Sequence, residues 1–169
     1  GLEGSHILYI RAVDAAGNEA TTSISFAIDR TAPAISVSGA ADGEFASRDV
    51  ALSFGATDLS PFVVSATLDG LAVSSPFAVS SEGPHTLAVE ATDVAENQAT
   101  TSRTFTIDKT PPTLFLWSPI DGAVLTGSTF IVSGFAADAT PFAVAVNGAI
   151  VVVTGGAFAL TLPLALGPN

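Results

Sequence analysis

A stretch of 31 residues occurs twice in this chain. Residues 3–33 read EGSHILYIRAVDAAGNEATTSISFAIDRTAP and residues 82–112 read EGPHTLAVEATDVAENQATTSRTFTIDKTPP, with 17 identities at a constant offset of 79. Unrelated segments of this length and average composition would share roughly two. A 79-residue period is too long for a solenoid unit and about long enough for a small domain to bury its own core, so the chain reads as an array of separate domains. Residues 33–110 make one complete unit. Residues 1–32 read as the C-terminal strand hairpin of a truncated unit, and residues 111–169 as a unit lacking its last two strands. The third unit starts in register, since Pro112, Leu114, Leu116, Asp121 and Gly122 lie 79 after Pro33, Ile35, Val37, Asp42 and Gly43. It ends at Leu166-Gly167-Pro168-Asn169, the counterpart of Glu82-Gly83-Pro84-His85. A chain opening in mid-repeat leads us to expect that its true N-terminus lies before Gly1.

The local pattern is that of strands. From His6 to Asp14, Leu8, Ile10 and Ala12 alternate with Tyr9, Arg11 and Val13, and Ile24, Phe26 and Ile28 are in phase further on, so the two runs form a hairpin around the turn at Gly17-Asn18. Within residues 33–110 the spacing predicts strands over 34–38, 49–57, 63–68, 71–74, 77–80, 85–93 and 99–108. Asp69-Gly70 is a two-residue hairpin signal, matched by Asn147-Gly148 in the third unit. Short strands at this density point to an antiparallel sandwich. The segments Asp29-Arg30-Thr31-Ala32-Pro33 and Asp108-Lys109-Thr110-Pro111-Pro112 close each hairpin. Proline restricts both itself and the residue before it, so these are short, stiff linkers expected to keep neighbouring units extended.

Charge and composition exclude several classes. A net charge of −11 with only five Lys and Arg leaves no basic surface for a nucleic-acid backbone. No run of 18 apolar residues predicts a membrane span, and the uncharged stretch 139–169 is broken by Asn147-Gly148, Gly155-Gly156 and Pro163 into strand lengths. Without cysteine there is neither a disulfide framework nor a thiolate metal site.

The runs HTLAVEATDVAENQATT and TFTIDKTPP, with IRAVDAAGNEATT and FAIDRTAP, resemble the bacterial immunoglobulin-like repeats of secreted and surface proteins, whose units end in an A-x-D-x-A-G-N turn and a D-x-T-x-P linker. The third unit is similar to the subgroup typified by glucodextranase domain B. The resemblance spans the chain and implies an all-β fold of tandem immunoglobulin-like antiparallel β-sandwiches. It also implies an extracellular or cell-surface setting and a non-catalytic role as spacer or adhesive stalk, with neighbouring repeats of the same protein as partners and a glycan or surface receptor as a further one. The runner-up role is an ancillary carbohydrate-associated module of a polysaccharide-acting enzyme. Gly4-x-His6-x-Leu8 and Gly83-x-His85-x-Leu87 echo the G-x-Y-x-C start of the sixth sandwich strand, with His in place of the corner Tyr. Glu96 replaces the turn Gly, and Arg103 stands in the inward phase where Ile24 does, so it is expected to snorkel outwards.

Candidate chemistry is sparse. No nucleophile elbow, phosphate loop or dinucleotide fingerprint is present, so no catalytic residue and no cofactor are expected. Calcium is the one metal to weigh, because Asp14, Asp29, Asp93, Asp108, Asp42 and Asp121 belong to strand ends that meet at junctions in tandem sandwiches. Against it, Arg30 and Lys109 neighbour the linker acids, and an Asp in a turn commonly caps its own backbone. Phe115 and Trp117 align with Ser36 and Ser38, in the outward phase, and are expected to contact a carbohydrate or a protein partner. The third unit, lacking a hairpin of the type that residues 5–29 carry, is expected to accept one from another copy, head to tail.

Overall fold

In the computed structural model, which describes residues 2–164, the first alternating run forms β1 (Gly4–Val13) and the second forms β2 (Glu19–Ile28). They pair antiparallel, with Leu8 opposite Ile24 and His6 opposite Phe26. The correspondence of Leu166 to Asn169 with Glu82 to His85 lies outside the described residues. Every regular element among the described residues is a strand, and no helix is long and apolar enough to cross a membrane. Contacts divide the chain into two compact units, residues 1–107 and 108–169.

Within the first unit the chain continues through β3 (Ala34–Ser38), β4 (Glu44–Ala46), β5 (Val50–Thr57), β6 (Phe62–Leu68), β7 (Leu71–Ala72), β8 (Phe77–Val79), β9 (Gly83–Asp93) and β10 (Gln98–Ile107). One sheet runs β3-β5-β8 and the other β4-β10-β9-β6-β7. Inward residues of both sheets form one core: Val50, Leu52 and Val79 meet Ala66, Leu87, Val89, Phe105 and Ile107. This is an immunoglobulin-like sandwich held by packing alone, since the chain has no cysteine. Asp69 and Gly70 have φ of 51° and 82°, the doubly left-handed turn that joins β6 to β7 without splaying them. Gly39, at φ 113°, brings its backbone against the Ala51 carbonyl where a Cβ would collide.

The strand β4 has no counterpart in the sequence-based assignment. Its only ladder is parallel, to β10, which lies some sixty residues further along, so no local alternation announces it. Arg103, in the inward phase of β10, is half-buried: its Nε is cut off from water without an acceptor. Its charge acts on Asp42, whose carboxyl it helps to hold below the usual value.

The second unit contains β11 (Thr113–Ser118), β12 (Thr129–Ala137), β13 (Val144–Val146), β14 (Ala149–Val151), β15 (Val153–Thr154) and β16 (Ala157–Pro163). The sheet β11-β12-β16-β15 faces the short pair β13-β14 over a small core of Val132, Ala136, Val144, Val151 and Phe158. Asn147 and Gly148, at φ 50° and 84°, repeat the turn at Asp69-Gly70.

Candidate functional site

Histidines occupy equivalent corners. His85 Nε2 lies 3.0 Å from the Ser81 carbonyl oxygen, and His6 Nε2 lies 2.8 Å from that of Leu2, four residues upstream in both cases. The ring thereby ties the strand to the segment that enters it, the task a tyrosine hydroxyl performs in related sandwiches. Each ring also packs on a phenylalanine of the partner strand, His6 on Phe26 and His85 on Phe105. His85 alone is buried, and its Nδ1 meets Asp69 Oδ2 at 2.8 Å. Burial would lower the His85 pKa, but the hydrogen bonds to Asp69 and Ser81 and the Asp69 charge outweigh it and raise it above 6.5. Asp69 is held below its ordinary value by the bond from His85 and by the Thr86 amide.

Ser81, His85 and Asp69 have the composition of a hydrolytic triad but not its geometry. Nε2, which would have to take the serine proton, points at the Ser81 carbonyl, while the Ser81 hydroxyl sits 3.4 Å away. Both ring nitrogens thus face acceptors. The arrangement is a clamp between a turn and a strand.

The acidic residues fall into three structural classes. Asp14 and Asp93 organise their own turns: Asp93 Oδ1 accepts from the amides of Ala95 and Asn97 while Oδ2 accepts from the Asn97 side chain, and Asp14 does the same with Ala16 and Asn18. Asn18 bonds hold the Asp14 carboxyl below its usual value. For Asp93, burial pulls upwards, yet the bonds from Asn97 and Ala95 prevail and its pKa is lowered. Asp42 accepts from the amide and hydroxyl of Thr104 on β10, and its counterpart Asp121 has no such strand beside it among the described residues.

The linker acids form the third class. Asp29 Oδ1 accepts from the Thr31 amide at 3.0 Å, and Oδ2 accepts from the hydroxyl of Ser60 in the loop between β5 and β6. Asp108 repeats both bonds, to the Thr110 amide at 3.1 Å and to the hydroxyl of Thr140 at 2.7 Å. Asp29, Asp58 and Asp93 also come together, each with one carboxylate oxygen within 4.8 Å of the others. Of the acids weighed for calcium, the structure therefore gathers Asp29 and Asp93, adds Asp58, and leaves Asp14, Asp42, Asp108 and Asp121 outside the cluster. Sequence reasoning missed Asp58 because only the fold brings its loop to the linker. Hydrogen bonds from the protein already reach all three carboxylates, Asp58 Oδ1 accepting from the Ser60 amide at 2.9 Å and Asp29 and Asp93 as above.

Phe115 and Trp117 stand on the outer face of β11, more than half exposed. Phe115 lies opposite Phe135 on β12, and the Trp117 ring stacks on Phe135 with centroids 6.4 Å apart and planes at 28°. Phe135 is thus the third ring of the patch, and its outward phase on β12 was the signal for it. A ladder irregularity at Leu116–Ser118 turns Trp117 onto that neighbour.

Comparison with known families gives one assignment: the pattern described as bacterial Ig-like domain (group 3) matches residues 75–161, just over half of the chain. The match starts before β8 and runs through the second linker into β16, so its frame differs from that of the compact units. A search of curated proteins finds no match.

Proposed function

Since the chain belongs to the bacterial Ig-like domain family (group 3), we propose that it acts as a non-catalytic spacer or adhesive stalk module of an extracellular bacterial multi-repeat protein. The observation that carries this reading is the repeated linker clamp. Asp29 and Asp108, 79 residues apart, each bind their own D-x-T turn and a hydroxyl of the next sandwich, Ser60 or Thr140. A linker bonded to the sandwich it enters, and followed by proline, samples few backbone states, which is what a spacer requires. Conserving a distance asks for stiffness and solubility, and the net charge of −11 provides self-repulsion suited to the latter.

Replacement of the chain in a surface-displayed fusion tests the proposal. Deleting it should cost the displayed domain its reach, and an unrelated sandwich array of equal length should restore it. Failure of the unrelated array to restore function would mean that a specific contact of this chain is needed, which contradicts a spacer.

The second reading, an ancillary carbohydrate-associated module of the kind typified by glucodextranase domain B, draws support from the Phe115, Trp117 and Phe135 surface, where exposed rings lie beside small hydroxyl side chains such as Ser133. On that reading, replacing Phe115 and Trp117 with Ala abolishes retention on an insoluble glycan without unfolding the module. If no glycan retards the parent chain, the second reading is lost.

A further inference from the structure

The buried His85 ring, 7% exposed, meets an oxygen at each nitrogen: Asp69 Oδ2 lies 2.8 Å from Nδ1 and the Ser81 carbonyl oxygen 3.0 Å from Nε2. Neither oxygen can donate, since one belongs to an ionised carboxylate and the other to the main chain. Serving both takes two N–H groups, which only the cationic ring has. A neutral ring has one N–H and one lone pair, so loss of a proton sets that lone pair against one of the two oxygens. Charge decides which. The carboxylate repels a lone pair more strongly than a carbonyl dipole does, so the proton stays on Nδ1 and the bare Nε2 faces the Ser81 carbonyl.

Ser81 carries the means to relieve that clash. Its hydroxyl oxygen lies 3.4 Å from Nε2, and a hydroxyl can donate where a carbonyl cannot. Ser81 is exposed, so rotating its side chain to close the remaining few tenths of an ångström displaces no core residue.

We propose that Ser81 is a proton-dependent latch: its carbonyl oxygen accepts from the cationic His85 ring and its hydroxyl donates to the neutral ring, so that deprotonation frees the main chain between β8 and β9. The Nε2 proton leaves to solvent, and the bond from Nδ1 to Asp69 is kept throughout. Only the Ser81 side of the clamp is therefore switched, while the turn between β6 and β7 stays tied by the ring and by the Thr86 amide. The charged groups on the surrounding elements are Asp69, Glu82 in the same connection as Ser81, Glu44 on β4 opposite Phe105, Asp49 ahead of β5 and Arg103 on β10. The charge that acts on the ring is that of Asp69. Burial pulls the His85 pKa down, but the bonds to Asp69 and Ser81 and the Asp69 charge raise it above 6.5, which places the exchange there. The corner at His6 lacks the device, because Leu2, 79 residues before Ser81, offers a carbonyl but no hydroxyl.

Nuclear magnetic resonance of the full chain labelled in its imidazole nitrogens tests the latch. The chain has two histidines, and His6→Gln identifies the signals of His85. Above its pKa the His85 ring should carry its proton on Nδ1. Ser81→Ala removes a donor from the neutral form alone, so it should lower the acid dissociation constant of His85 roughly two- to tenfold, the worth of one hydrogen bond. Ser81→Thr keeps a hydroxyl and should restore the parent value. A neutral ring protonated on Nε2 overturns the proposal. So does a dissociation constant that Ser81→Ala leaves unchanged, as for a bystander hydroxyl, or raises, as for one that accepts from the cation. A Ser81→Thr variant shifted as far as Ser81→Ala overturns it as well.

Discussion

Glu96 shows how one residue can carry the cost of a repeated turn. Gly17 holds its turn at φ 89°, and Glu96, at the same place in the next copy, is held at φ 68°. The turn survives the exchange, with amide bonds from Asp14 to Asn18 and from Asp93 to Asn97 of 3.0 and 3.1 Å. A side chain in this region is strained by roughly 1–2 kcal/mol, partly offset by the freedom that glycine adds to the unfolded chain. Glu96 is exposed, so nothing else is lost on replacing it. Glu96→Gly should therefore raise stability by about 0.5–1 kcal/mol, read from the shift in urea midpoint at unchanged slope. At the same scale, the raised pKa of His85 has a definite sign. Its contribution is fully present below the unfolded value near 6.5 and is lost as pH rises through the higher folded value. Asp69, whose pKa is lowered, contributes above about 3.8 and loses its share as pH falls. The parent should lose stability relative to His85→Gln as pH is raised from about 6 to 8, and a relative gain over that interval would refute the clamp.

Strand by strand, burial rather than composition separates the two hairpins. Leu87→Ala empties a fully covered site and should cost about 2–5 kcal/mol, while Leu8→Ala, on the uncovered hairpin, should change the unfolding midpoint of dilute protein by less than roughly 0.5 kcal/mol. Equal losses would mean that the first hairpin is covered in solution. For the linker and its neighbouring loops, calcium should matter little, because Asp29, Asp58 and Asp93 already accept hydrogen bonds from Thr31, Ser60, Ala95 and Asn97. Melting curves in millimolar calcium and in chelator are expected to coincide. A metal bound only by the folded state at a hundredfold excess over its Kd would instead add about 2.7 kcal/mol, and a shift of that size would contradict a metal-free module. Much at this scale was legible in the sequence. The alternation of Leu8 and Ile10 recurs 79 residues on at Leu87 and Val89, which are buried, and Asp69-Gly70 and Asn147-Gly148 marked turns that do adopt positive φ. What was not legible depends on contacts distant in sequence. The parallel edge strand β4 exists through β10, Asp58 joins the acids through the loop packing of Ser60, and Phe135 meets Trp117 across a ladder.

For the whole molecule, the repeat offset told more about architecture than any single motif told about chemistry. A structural module needs packed sandwiches and defined linkers, and these leave marks at fixed spacing; a ligand surface needs only a few side chains, such as Phe115 and Trp117, with no periodic signature. On the spacer reading, the 33–107 segment is one cooperative sandwich that bears load between its neighbours. Forced extension of the full chain from its two ends addresses it directly. The 75 residues from 33 to 107 should give way in a single event that lengthens the tether by roughly 220 Å, their extended span less the size of the folded unit. A gradual, featureless lengthening would contradict the account.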